Sequence, residues 1–138
     1  MNKVIYIILS ILLTLSCTRS GENILIEAEF FDNHGGWKLD QQFYEQVGSA
    51  YLLAHGAGTP VGDASTTVRL KRNTNYHVWV RTFNWNAPWD SLQAPGIFKV
   101  AVDGKELEQT LGDRSSKWDW QYAGEFHAEK SNVTLSLH

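Results

Sequence analysis

Apolar and polar residues alternate along much of this chain with a period of two, as expected of strands that bury one face. Residues 24–30 put Ile24, Ile26, Ala28 and Phe30 on one side, and residues 66–71 set Thr66, Val68 and Leu70 against Thr67, Arg69 and Lys71. Residues 76–83 are rich in β-branched and aromatic types and point Val78 and Val80 inward. Phe98, Val100 and Val102 alternate with Ile97, Lys99 and Ala101, and Asp103-Gly104 then signals a hairpin into residues 105–111. Trp120, Tyr122 and Phe126 fall on one face of the next strand, and Val133, Leu135 and Leu137 on one face of the last. No stretch after Gly21 keeps a helical period, although residues 41–47 suit a turn or two of helix. Short strands separated by Gly, Asn, Asp and Pro turns predict an all-β, antiparallel sandwich.

The ends refine this picture. Lys3 precedes an apolar run over residues 4–15 that is too short for a hydrocarbon core of ~30 Å, so residues 1–16 read as a signal peptide. The run leads into Leu15-Ser16-Cys17 and a polar stretch, which resembles a bacterial lipobox. Cys17 is the only cysteine, and lipidation there accounts for an otherwise unpaired thiol in an exported protein. The expected organisation is a signal peptide (1–16), a short tether (17–22) and a β-sandwich domain (23–138), exported and held at a bacterial membrane by its N-terminal lipid. At the other end, the alternation runs to His138 with no turn signal after it. Either this is the last strand, or the sequence fronts a longer protein and the sandwich here lacks its final strand; the second reading is preferred. An unpaired edge is then expected beside the strand over residues 133–137.

Charge and composition narrow the partners. The net charge is −3 and no basic face emerges, so nucleic acid is not expected as a partner. Six tryptophans in 138 residues are a heavy loading, usable either in a core or as flat apolar surface.

Glu27 and Glu29 stand two apart on an expected strand, which places both carboxylates on one face ~7 Å from each other. Such a pair is either solvated or bridged by a hard cation. Ile26-Glu27-Ala28-Glu29-Phe30, followed by Gly35-Gly36-Trp37, resembles the opening of carbohydrate-binding modules of families six and thirty-five. Those modules are β-jelly rolls whose first strand carries a Glu-x-Glu pair at a structural calcium, and the resemblance makes Glu27 and Glu29 candidate Ca2+ ligands. The chain also looks like the accessory sandwich domains of Bacteroidetes-type exported polysaccharide lyases and FAD-dependent oxidoreductases. That likeness concerns an appended domain and implies no catalytic residue.

The second constellation follows the strongest strand: Asn84, Trp85, Asn86, Pro88, Trp89 and Asp90. Pro88 and the polar residues make it a loop. Sugar rings offer apolar C–H faces that pack on flat aromatics, while Asn84, Asn86 and Asp90 suit the hydroxyls. In the families named, loops at one end of the sandwich carry such aromatics. The competing use of Trp85 and Trp89 is to fold back and cap the core. Trp118 and Trp120 are expected to pack in the core, whereas Trp37, behind two glycines, suits either a cleft or the core.

Other signals fail on spacing. The glycines of residues 56–62 are interrupted by Pro60 and precede no helix, so they make no phosphate loop. His34-Gly35-Gly36 and residues 55–58 are similar to esterase oxyanion loops but lack a nucleophile elbow. The expectation is therefore a non-catalytic domain that binds polysaccharide through Trp85 and Trp89 with Asn84, Asn86, Asp90 and Trp37. The alternative is an N-terminal accessory domain of an exported enzyme, a polysaccharide lyase or FAD-dependent oxidoreductase whose catalytic part lies beyond residue 138.

Overall fold

The computed structural model describes residues 21–56, 58–87, 89 and 94–138. The signal peptide, Cys17, Pro88 and Asp90 lie outside the described residues. Among the described residues, eight strands run in chain order: β1 (Lys38–Asp40), β2 (Tyr51–Leu53), β3 (Ala64–Arg69), β4 (Thr74–Thr82), β5 (Val100–Val102), β6 (Lys105–Glu106), β7 (Asp119–Ala128) and β8 (Asn132–Leu137). All pairings are antiparallel: β1 with β2, a four-stranded sheet in the order β3-β8-β5-β6, and the long ribbon β4-β7. A short helix, α1 (Tyr44–Val47), lies between β1 and β2.

Period-two patterning decides the register. Across β3 and β8, Ala64 faces Leu137, Thr66 faces Leu135 and Val68 faces Val133, so the apolar members of both strands share one side. Val133 and Leu137 are buried there, with Val100 and Val102 of β5 beside them. Val78, Val80, Tyr76 and Phe126 of the β4-β7 ribbon pack against the same core. The hairpin at Asp103-Gly104 forms as expected: both residues have positive φ, 49° and 81°, which suits the right-handed twist of the strands it joins.

Three expectations are corrected. Residues 24–30 form no strand. Phe30 N donates to the Glu27 carbonyl and Phe31 N to that of Ala28, closing a 3-10 turn over Ala28–Phe30. Those local bonds use backbone groups that a ladder would need, and Ile24, Leu25, Ile26 and Phe30 are left exposed. The first residue of this region to enter the core is Phe31. Just beyond it, Asp32 Oδ2 accepts from Thr66 Oγ1 and Thr67 N, which holds that carboxyl below the usual range and occupies part of the outer edge of β3.

The second correction concerns β8. It is not beside an open edge but lies between β3 and β5, and the His138 and Lys99 backbones exchange two further hydrogen bonds.

The third concerns β7. Val78 pairs with Gly124 but Trp79 pairs with Tyr122, so Ala123 is an extra residue in β7, a β-bulge. One inserted residue reverses the parity of everything before it. Ala123, Gly124, Phe126 and Ala128 therefore face the core, while Trp120 and Tyr122 face water. Trp118, two residues upstream of Trp120, does pack inward, in a cluster with Phe43, Tyr51 and Phe83 whose ring centroids are 5.0–6.5 Å apart.

Candidate functional site

The loop after β4 is built from consecutive tight turns. Asn84 N donates to the Ser115 carbonyl, Asn84 Oδ1 accepts from Asn86 N, Ala87 N donates to the Asn84 carbonyl and Trp89 N to that of Asn86. Asn84 is only 4% exposed, so it organises the loop from beneath, and Asn86 is half-buried. The turns push both tryptophans outward: Trp85 is 46% and Trp89 75% exposed. Their ring centroids lie 5.7 Å apart with the planes at 68°, so the two indoles form a corner and not a flat sheet. Neither folds back as a complete cap on the core.

Trp85 is also one wall of a largely apolar cavity of about 220 Å³, bounded by Leu53, Ala54, His55, Gly58, Pro95 and Gly96. β2 delivers Leu53 to His55 to this cavity, and β2 is fixed by its pairing with β1 and by Tyr51. The Tyr51 hydroxyl donates to Asp40 Oδ1 at 2.8 Å. Burial, and then the bond to that carboxylate, push the Tyr51 hydroxyl up to about 12. Asp40 is lowered in turn, first by the Gln42 N–H and next by Tyr51. His55 is a lining residue that sequence reasoning did not assign to a site, and no period or spacing in the chain distinguishes it.

The remaining candidates lie elsewhere. Trp37 is 8% exposed and meets Phe98 edge-on at 5.4 Å, so of its two possible uses it takes the core one and offers no stacking surface. The glycines before it explain the placement. Gly35 sits at φ 56°, and a Cβ there would fall onto the Asp63 carbonyl, so the chain can approach residues 62–63 closely enough to drive Trp37 inward. Glu27 and Glu29 border a shallow depression of about 400 Å³ with Phe30, Leu39, Tyr44 and Ser49. The strand that would have aligned their carboxylates is absent. Among the described residues, no group of three or more acidic, histidine or cysteine side chains is placed to hold a metal ion. Two carboxylates fall well short of the six to eight oxygens calcium takes, so these residues do not by themselves fit the cation.

No family model matches the chain, and neither a curated protein nor a solved structure matches it. The fold and its surfaces thus stand on their own geometry. What the loop can do chemically is limited and definite: two exposed indoles at an angle present apolar faces beside a small apolar hollow, with a histidine at its margin.

Proposed function

We propose that this domain binds carbohydrate without altering it, as the sandwich of an exported, lipid-anchored protein. The observation that carries the reading is the exposed Trp85–Trp89 corner above the cavity that Trp85 walls. Indoles left in water at the tip of a turn-rich loop forgo burial that the core would have given them, and a sugar's C–H face restores it. The about 220 Å³ hollow is suited to one sugar unit, with His55 available to its hydroxyls. Asn86, braced from below by Asn84, adds to the polar margin in this reading, and Asp90 is a candidate from the sequence alone. A two-layer sandwich, the architecture to which a jelly roll belongs, is supported by the shared core of the β3-β8-β5-β6 sheet and the β4-β7 ribbon. The reading is the same whether the domain stands alone or fronts a longer exported enzyme.

The test is retardation of the protein in native gels containing dissolved polysaccharides. Trp85→Ala/Trp89→Ala should abolish retardation while leaving the thermal melt within a few degrees of wild type, because both side chains are exposed. A variant that unfolds would instead place the two indoles among the structural residues and end the proposal.

A further inference from the structure

The loop uses two of the exposed tryptophans, and two others stand on a different surface. Trp79 of β4 and Trp120 of β7 are 56% and 53% exposed, on the face of the β4-β7 ribbon turned away from the core. Trp79 lies across from Tyr122, with ring centroids 5.1 Å apart and planes tilted by 51°. Trp120 follows two pairs along, opposite Arg81, on the same face. On the other side of Tyr122, His77 Nδ1 is 3.3 Å from the Tyr122 hydroxyl oxygen and 3.4 Å from Glu125 Oε2. The bulge makes this arrangement: Ala123 and Gly124 both turn inward, so the residues on either side of them face outward together.

We infer that this face is a second glycan platform, on which an uncharged polysaccharide chain lies across Trp79, Tyr122 and Trp120. The inference shares with the loop reading only the class of ligand.

Electrostatics favour a neutral chain. Glu125 Oε2 lies 3.4 Å from His77 Nδ1 and leaves a carboxylate on the face, and the Arg81 guanidinium donates to the carbonyl oxygens of Val47 and Gln46 at 3.2 and 3.1 Å, at the end of α1. His127 Nδ1 is engaged with Asn75 Oδ1 at 2.6 Å. Each of these groups already touches a neighbouring side chain or backbone carbonyl, and the largest apolar surface of the face is its three aromatic rings. Their faces carry the negative side of the aromatic quadrupole, which complements the weakly positive C–H face of a pyranose. A strongly anionic chain would meet both that quadrupole and Glu125.

Shape favours a polymer. Same-face residues are ~7 Å apart along a strand and neighbouring strands ~5 Å apart, so the rings form a ledge instead of a pocket. A ledge gives a single sugar little contact and several linked units a good deal. The Tyr122 hydroxyl and the His77 and His127 rings lie along the same face to meet hydroxyl groups.

The experiment is native affinity electrophoresis in hydroxyethyl cellulose, xylan and mannan, with polygalacturonate as the anionic comparison. It compares wild type, Trp79→Ala/Trp120→Ala, Trp85→Ala/Trp89→Ala and the four-fold variant. The expected result is that Trp79→Ala/Trp120→Ala weakens retardation by at least one neutral polymer about fivefold or more, while Trp79→Phe/Trp120→Phe retains most of it. Retardation unchanged by Trp79→Ala/Trp120→Ala but lost with Trp85→Ala/Trp89→Ala overturns this inference and leaves the loop reading intact; the reverse pattern does the opposite. A wild type retarded by none of the neutral polymers, or only by polygalacturonate, overturns the platform. So does sedimentation showing a dimer that Trp79→Ala/Trp120→Ala dissolves, since the face would then be occupied by a second copy. Should the alanine variant fail to fold, indole N–H resonances in the wild type decide: those of Trp79 and Trp120 shift on addition of a neutral oligosaccharide, and unmoved resonances overturn the proposal.

Discussion

Gly124 occupies φ 138°, where L side chains are strained, and a Cβ there would lie 3.2 Å from the Leu107 Cβ in the core. Gly124→Ala should therefore cost roughly 1–3 kcal/mol of stability in urea titration, from strain and crowding together. A neutral result would mean that the bulge can be rebuilt without the glycine. Tyr51 offers a test by pH. Its hydroxyl, ordinarily near 10.0, is raised to about 12, so the folded state holds the proton more tightly than the unfolded chain. The contribution is whole below about pH 10 and is lost as pH climbs through about 12. Asp40 has the opposite sign: its depressed carboxyl contributes above 3.8, and that contribution fades as pH falls through the lower folded value. Tyr51→Phe should cost about 1 kcal/mol near neutrality and flatten the loss of stability between about pH 9 and 12. A variant whose alkaline limb matches wild type would show that the Tyr51–Asp40 bond does not govern it.

At the scale of elements, burial and apparent pattern part company. Phe30 continues an alternating apolar series, yet it is exposed, whereas Leu111 lies in no named strand but is almost fully buried and bridges Phe98. Leu111→Ala should destabilise by about 2–5 kcal/mol, while Phe30→Ala should stay within about 0.5 kcal/mol, as read by chemical denaturation. Comparable losses at both sites would restore a core strand over residues 24–30. The strands legible in advance were those whose alternation is uninterrupted, such as β3, β8 and the β5-β6 hairpin. Alternation alone cannot see where backbone bonds close locally, as after Glu27, or where a single extra residue such as Ala123 reverses the faces of Trp120 and Tyr122. The dipeptide Ala123-Gly124 carries only a weak hint, a glycine inside an otherwise apolar strand.

For the whole molecule, an antiparallel all-β fold around one shared core presents three separate aromatic or acidic surfaces. The loop pair of Trp85 and Trp89 was legible because Pro88 and the asparagines mark a loop. The burial of Trp37 was not, because it depends on the close approach of Gly35 to Asp63 across the chain. Glu27 and Glu29 retain their resemblance to a calcium-binding pair, and a calcium titration followed by thermal melting reads the question. The donor set described here predicts an unchanged Tm in millimolar calcium, for wild type and Glu27→Gln/Glu29→Gln alike. A rise in wild type alone would assign a cation site completed by further ligands.

Binding of glycan through the loop is the central claim, and isothermal titration of the intact domain with soluble polysaccharides tests it most directly. The account predicts heat of binding for at least one polymer, lost in Trp85→Ala/Trp89→Ala with the fold retained. Heat that is identical in the folded variant would contradict it.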